Sequence, residues 1–385
     1  MACYGLQDSS KPRLHFESTK QAFGVSFDDW TRRSALTIPA VVRRYQTLDG
    51  LRGIAALAVV MLHSNRWFLI APNLSASAVD LFFLLSGFVV AAAYEHRLAS
   101  GMSAARFMAI RIIRLYPLYL VGLLIALFGL TISLFTHGGV TPFHLAFWKA
   151  APFAVLMLPS PSFGVMGNIY PLNGPAWSLM YELCINFIFA LTYRHWTLRN
   201  MGIVIVLTGI TILIRPIALY GGWGHINFAD GIFRVLFFFP LGVLLFRIEP
   251  AIPVMKGLRA WHCLVLFVAI LYCNFGESFS LLILFAYPVL VALAITVEPS
   301  GLFARLCDKA GAWSYAIYAV HFPLIGLGQS IENKLAIRFN PMFASTAVIV
   351  GLMIFAELLD RFYDIPIRRR LTALLSRSSM TPASV

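Results

Sequence analysis

In the stretch 45–70, YQTLDGLRGIAALAVVMLHSNRWFLI, an arginine and a histidine interrupt a run whose other side chains suit lipid. Ionisable groups are expensive inside a bilayer and are kept where they face a cavity or a partner. Arg52 and His63 therefore mark either chemistry or a buried contact. An imidazole acts as a general base when a neighbouring carboxylate holds its tautomer and stabilises the imidazolium. The carboxylate on offer is Glu182, in NGPAWSLMYELCINFIF (173–189). With residue 50 at the inner edge of a hydrocarbon layer of about 30 Å, His63 comes about 20 Å up at 1.5 Å per residue; counted inward from Ala176 on an oppositely directed span, Glu182 comes about 9 Å below the outer edge. His63 and Glu182 are thus expected to meet at one depth, with Trp177, Ser178, Tyr181 and Glu182 on one broad helix face. A structural reading stands beside this, because a membrane histidine serves equally as a hydrogen-bond partner inside a packed bundle.

Other polar groups interrupt apolar runs. Arg111 and Arg114, in RFMAIRIIRLYPLYL, share a helix face by their i, i+3 spacing. Side by side, two forked guanidiniums suit a phosphorylated ligand, although arginines at inner helix ends also serve as anchors. In SAVDLFFLLSGFVV, Asp80 is expected near the outer face as a cap or a site residue, and Ser86 and Gly87 as small residues for close helix packing. In WSYAIYAVHFPLI, His321 is read as a packed, satisfied histidine. The segment HINFAD, His225 to Asp230, has the H-x-x-x-x-D spacing of soluble glycerolipid acyltransferases, but two residues at a free spacing match by chance often and loop capping is the plainer reading. There is no Walker A loop, no G-x-S-x-G elbow and no H-E-x-x-H.

The elements that must position these residues are membrane helices. The chain is 59% hydrophobic and only 12% charged, against about 25% charged in soluble proteins. Apolar runs near the length of about 20 residues that crosses a bilayer fall at 50–70, 78–94, 112–134, 176–193, 200–214, 229–246, 261–275, 279–297, 313–330 and 342–360. The segment 145–158 is short, carries Lys149 and Pro152, and reads as interfacial or re-entrant; if it spans, the count of about ten becomes eleven. The fold class expected is an all-α integral membrane protein, a polytopic bundle with both termini cytoplasmic. That orientation puts 24 of the 30 basic residues on the cytoplasmic face, as the positive-inside rule requires. Loops at Gly101 and Gly257 then lie inside, and those at Gly138 and Gly276 outside. The net charge of +13 is explained by the membrane, without nucleic acid. Cys3, Cys184, Cys263, Cys273 and Cys307 show no paired spacing, so neither a disulfide framework nor a metal site is indicated. The first 44 residues hold no apolar core of a cleavable signal peptide. The division expected is a polar cytoplasmic tail (1–44), one transmembrane domain (45–375) and a polar tail (376–385).

Five motifs in order, LDGLRGIAALAVVMLH, VDLFFLLSGFVV, RIIRLYPLY, NGPAWSLMYE and WSYAIYAVHFPL, closely resemble the acyltransferase 3 family of integral membrane O-acyltransferases. The resemblance spans about 45–365. It implies a bundle of ten or eleven helices that takes an acyl group from acyl-CoA, most commonly acetyl-CoA, and places it on a hydroxyl of a carbohydrate or glycolipid such as a surface or exported polysaccharide. It implies no tightly bound cofactor and a location in the plasma membrane, the inner membrane in a Gram-negative cell. The family's R-x10-H motif is met by Arg52 and His63, its R-x-x-R by Arg111 and Arg114, and its W-S-L-x-x-E by Trp177, Ser178, Leu179 and Glu182. Met180, Tyr181 and Leu62 depart from residues frequent in the family. By resemblance, Arg52, Arg111 and Arg114 hold the phosphates of CoA, and His63 removes the acceptor's proton with Glu182 orienting it; an acyl-histidine intermediate is the alternative. Asp80, Asn173, Trp177, Ser178 and His321 are site-lining candidates, with Asn173 and Ser178 as possible oxyanion donors. A different class also accommodates buried His and Glu, namely a proton-coupled transporter or exporter of a small anion or glycan.

Overall fold

The computed structural model describes residues 43–378 except 65, 69–70, 137–138, 162–166, 274–280 and 336–338. The loop positions 138 and 276, and the two tails apart from residues 43–44 and 376–378, lie outside the described residues. The helices are α1 (Gln46–His63), α2 (Ala78–Ala99), α3 (Ala104–Thr136), α4 (Pro142–Val155), α5 (Ala176–Thr192), α6 (Leu198–Ile214), α7 (Phe228–Ile248), α8 (Ala260–Tyr272), α9 (Ile283–Ala294), α10 (Gly301–Leu335), α11 (Pro341–Leu359) and α12 (Ile365–Ser378). Among the described residues there is no strand beyond one isolated bridge between Asn168 and Gly224. The all-α expectation holds, and each expected span overlies a helix.

Boundaries differ where local chemistry acts. The first span stops at His63, seven residues short of expectation, because Ser64 leaves helical geometry and its hydroxyl turns back onto the Val60 carbonyl at 2.5 Å. The doubtful segment is a helix. In α4, the Thr141 hydroxyl accepts from the His144 amide, the His144 ring accepts from the Thr141 amide, and Pro142 opens the first turn. Between α11 and α12 a π-helical turn, Asp360–Asp364, joins an apolar helix to an arginine-rich one.

Among the described residues, five helical runs are long and apolar enough to cross a membrane by length and composition: Ser75–Ala99, Ala104–Phe135, Ala176–His195, Phe228–Ala251 and Pro341–Arg377. Helices α6, α8 and α9 are apolar but shorter. Two others, α1 and α10, fail for a different reason. They carry Asp49, Arg52 and His63, and Tyr315, Tyr318 and His321, side chains that lower hydropathy because they face protein instead of lipid. The two helices lie together over much of their length. A Cβ on Gly53 would stand 2.5 Å from the Ala310 Cβ, and one on Gly311 would stand 2.5 Å from the Asp49 Cβ, so only glycine permits this approach. The α2–α7 pair is built in the same way, reciprocally: added Cβ atoms on Gly87 and Gly242 would each lie 2.0 Å from a carbonyl of the other helix. Gly87 is therefore a packing residue, as expected.

Candidate functional site

Helices α1 and α10 bring two histidines together. His321 Nε2 lies 3.1 Å from His63 Nδ1, with ring centroids 5.2 Å apart. His321 is fully buried, and its Nδ1 lies 3.1 Å and 2.9 Å from the carbonyls of Ile317 and Tyr318. Carbonyls only accept, so the neutral His321 ring carries its proton on Nδ1 and leaves a lone pair on Nε2. That lone pair accepts the hydrogen bond of His63 Nδ1–H, which the Val59 carbonyl shares at 3.0 Å. The basic lone pair of His63 is then on Nε2. This is the service expected of Glu182, supplied instead by a second imidazole anchored on backbone.

Glu182 stands elsewhere. Its Oε1 accepts from Arg111 at 2.5 Å and from the Ser86 hydroxyl at 2.9 Å, so the expectation that it sits beside His63 is corrected. Contacts along α10 give the reason. Asn173 Nδ2 donates to the Ala319 carbonyl at 3.0 Å, the Ser178 hydroxyl meets the Tyr318 hydroxyl at 2.6 Å, and Glu182 shares a cavity with Tyr315. Residues 169–179 are all buried, so the chain has entered the bundle before α5 begins, and Ala176 is no edge from which depth can be counted.

The cavity has a volume of about 70 Å³. At roughly 10–15 Å³ per water that is room for about five waters, far too little for a nucleotide. One end is polar, with Arg52, Arg111, Arg114, Glu182 and Ser86; the other closes on Phe82, Ser178 and Tyr318. The structure thus gathers Arg52, Arg111 and Arg114 as the sequence suggests. Arg52 leans on Asp49 at 3.7 Å, and Arg111 is buried with its Nε unpartnered. Ser86, expected only to pack, lines the cavity and holds Glu182. The Tyr318 ring, 5.6 Å from Phe82 and 5.8 Å from His321, separates cavity from histidine pair. His63 itself is half-buried, against Phe322.

Asp80 is also corrected. It is fully buried, not near water, and binds Arg234 through both oxygens at 2.8 and 3.1 Å. The Arg234 guanidinium further donates to the carbonyls of Gly221 and Ala76 and lies over the Trp177 ring, 5.1 Å from its centroid. Trp177 belongs to this structural cluster, Tyr181 donates to the Phe228 carbonyl, and Ser178 and Glu182 face the cavity, so the expected single face is divided. Ser178 is committed to Tyr318 and Pro175, while Asn173 keeps a buried Oδ1 without a partner. The HINFAD segment is a capped loop, with Asn227 Oδ1 accepting from the amides of Gly222 and Gly224 and Asp230 bound by Arg215 at 3.3 Å.

Sequence reasoning passed over Arg234, Tyr315 and Tyr318. Arg234 interrupts the apolar run 229–246 just as Arg52 does its own, so the same cost argument pointed to it. The tyrosines precede His321 at six and three residues, a helical stripe legible in the sequence.

A family model described as an acyltransferase domain matches residues 45–361. A curated relative from Rhizobium radiobacter, named protein 2 in the picA locus, is 35% identical over 181 residues, 44% of this chain and 94% of its own. The acyltransferase MdmB of Streptomyces mycarofaciens is 27% identical over 339 residues, 76% of this chain and 82% of its own. No solved structure matches.

Proposed function

Because the chain belongs to the acyltransferase 3 family and is a membrane acyltransferase, we propose that it carries an acyl group, acetyl by the family's usage, from acyl-CoA to a hydroxyl of a carbohydrate such as a surface or exported polysaccharide. The observation that carries this reading is the narrow cavity that starts among three arginines and ends one turn of α10 below the paired histidines. The arginines suit the phosphates of the donor. Beyond the arginines the lining turns apolar, with Val79, Phe82, Phe83 and Leu85, which suits the donor's arm and a thioester that water would otherwise hydrolyse.

In the reaction, the acceptor oxygen attacks the thioester carbonyl while His63 Nε2 takes its proton. The C–S bond then breaks, the thiolate leaves as CoA after protonation by the imidazolium, and an ester remains on the carbohydrate. His321 fixes the His63 tautomer throughout. Glu182 orients Arg111 in place of the imidazole. The topology proposed with this chemistry is ten crossings with both termini in the cytoplasm of a plasma membrane, supported by the basic bias of one set of loops. Reporter fusions at Gly101 and Gly257 should read as inside and those at Gly138 and Gly276 as outside.

Purified protein given labelled acetyl-CoA and candidate glycans tests the chemistry. His63→Ala should lower transfer by about 10²–10⁴-fold, while CoA binding and thermal stability stay near wild type, since the lost interaction belongs to the transition state. His321→Gln, which keeps an acceptor for His63 Nδ1–H, should retain more activity than His321→Leu. Full transfer by folded His63→Ala would overturn the assignment.

A further inference from the structure

The cavity leaves a question about size. It is too small for the nucleotide of the proposed donor, which must rest outside it. A second, open groove of about 630 Å³ adjoins, formed by Ile110, Ile113 and Arg114 of α3 against Arg368, Arg369 and Thr372 of α12. Arg114 lines both spaces. Resting on the donor reading above, we propose that this groove between α3 and α12 is the seat of the donor's nucleotide, binding its phosphates through Arg114, Arg368 and Arg369 and its flat base against Ile110 and Ile113.

Three features favour a phosphorylated ligand of this length. First, Arg368 is already oriented by Asp364, Nη2 to Oδ2 at 2.9 Å, from the π-helical turn that begins α12, so its guanidinium is held in place before a ligand arrives, which lowers the entropy lost on binding. Second, among the described residues no carboxylate lies within ion-pair distance of Arg369, which is exposed. Third, the reach is right. Arg52 and His63 are about 16 Å apart along α1 at 1.5 Å per residue, and a pantetheine arm has about twelve chain bonds, the length of four extended residues or about 14 Å. Arg114 lines the same cavity as Arg52, so phosphates held there would leave the end of the arm within a few Å, about one side chain's length, of the level of His63. A nucleotide seated anywhere much farther from Arg114 would fall short.

The test is equilibrium binding to the full-length protein in neutral detergent, with CoA, adenosine 3′,5′-bisphosphate and pantetheine as separate probes. Arg369→Glu reverses a charge, and Thr372→Trp fills the groove; both positions are exposed, so folding is little disturbed. Each variant should raise the Kd of CoA and of adenosine 3′,5′-bisphosphate at least tenfold and leave that of pantetheine unchanged, and added salt should weaken wild-type nucleotide binding. Unchanged Kd values for CoA in both variants would overturn the groove while leaving the donor reading intact. Failure of the wild-type protein to bind CoA at all would overturn both. A loss confined to association with phosphatidylglycerol vesicles, with CoA binding normal, would give the groove to a lipid headgroup instead and equally overturn it.

Discussion

Two guanidinium–carboxylate pairs inside the bundle, one fully buried and one partly so, do different work. Arg234 and Asp80 are closed: both carboxylate oxygens are engaged, two carbonyls take further donors so that each guanidinium nitrogen has a partner, and an indole covers the guanidinium. Arg111 and Glu182 are open: one oxygen carries both hydrogen bonds, Arg111 Nε has no partner, and both residues border a cavity shared with two further arginines. A buried charge is costly unless its hydrogen bonds are satisfied, so the closed pair reads as architecture locking α2 to α7. The open pair retains unmet donor capacity and a like-charged neighbourhood, which an anionic ligand would relieve. Degree of satisfaction, together with the partial exposure of Glu182, distinguishes scaffold from site here.

The contrast is most severely tested on the closed pair. Asp80→Asn keeps the shape and strands a buried cation, so it should cost about 3–5 kcal/mol, seen as a large fall in melting temperature in detergent. Joint replacement by Asp80→Leu and Arg234→Met should recover much of that loss. A fully stable Asp80→Asn would break the comparison from the structural side.

Arg111→Ala should act mainly on the ligand. Loss of a charged hydrogen bond, about 1.5–3 kcal/mol, corresponds to a rise in CoA Kd of about 10–100-fold, shrinking as salt is added. A destabilisation matching that of Asp80→Asn, with CoA affinity unchanged in the folded fraction, would make the two pairs equivalent.

A smaller effect is expected from Glu182→Gln, because the amide still accepts from Arg111 and Ser86. CoA affinity should change severalfold, and combined with Arg111→Ala the effects should be non-additive, with a coupling of about 0.5–3 kcal/mol. Strict additivity in the double-mutant cycle would mean that Glu182 does not act through Arg111. Least of all, Ser86→Ala removes one neutral donor to a carboxylate that keeps its arginine, and should cost about 1 kcal/mol in stability or affinity.

Much of the site was legible because lipid punishes polarity: Arg52, His63, Arg111, Arg114 and His321 stand out from apolar surroundings in the sequence, and all five either line the cavity or form the histidine pair, although depth counting chose Glu182 and not His321 as the neighbour of His63. His321 was visible but its role was not, since a helix repeat says that it is buried and cannot say against what. Glu182 was misplaced for a related reason. Counting residues from Ala176 assumes a helix that begins at the membrane edge, and the buried approach of residues 169–175 lies outside any periodicity.

The sequence by itself determined an all-helical membrane chain, its family motifs and which polar side chains had to be sheltered, since these follow from local composition and the cost of exposing charge to hydrocarbon. Only the tertiary structure decided the partners: His63 with His321, Glu182 with Arg111 and Ser86, and Asp80 with Arg234. Partner choice depends on relative depth and rotation of helices far apart in the chain. For α1 with α10 and for α2 with α7 those are set by close packing of backbones at Gly53, Gly87, Gly242 and Gly311, a property of two surfaces meeting and of neither stretch of sequence alone.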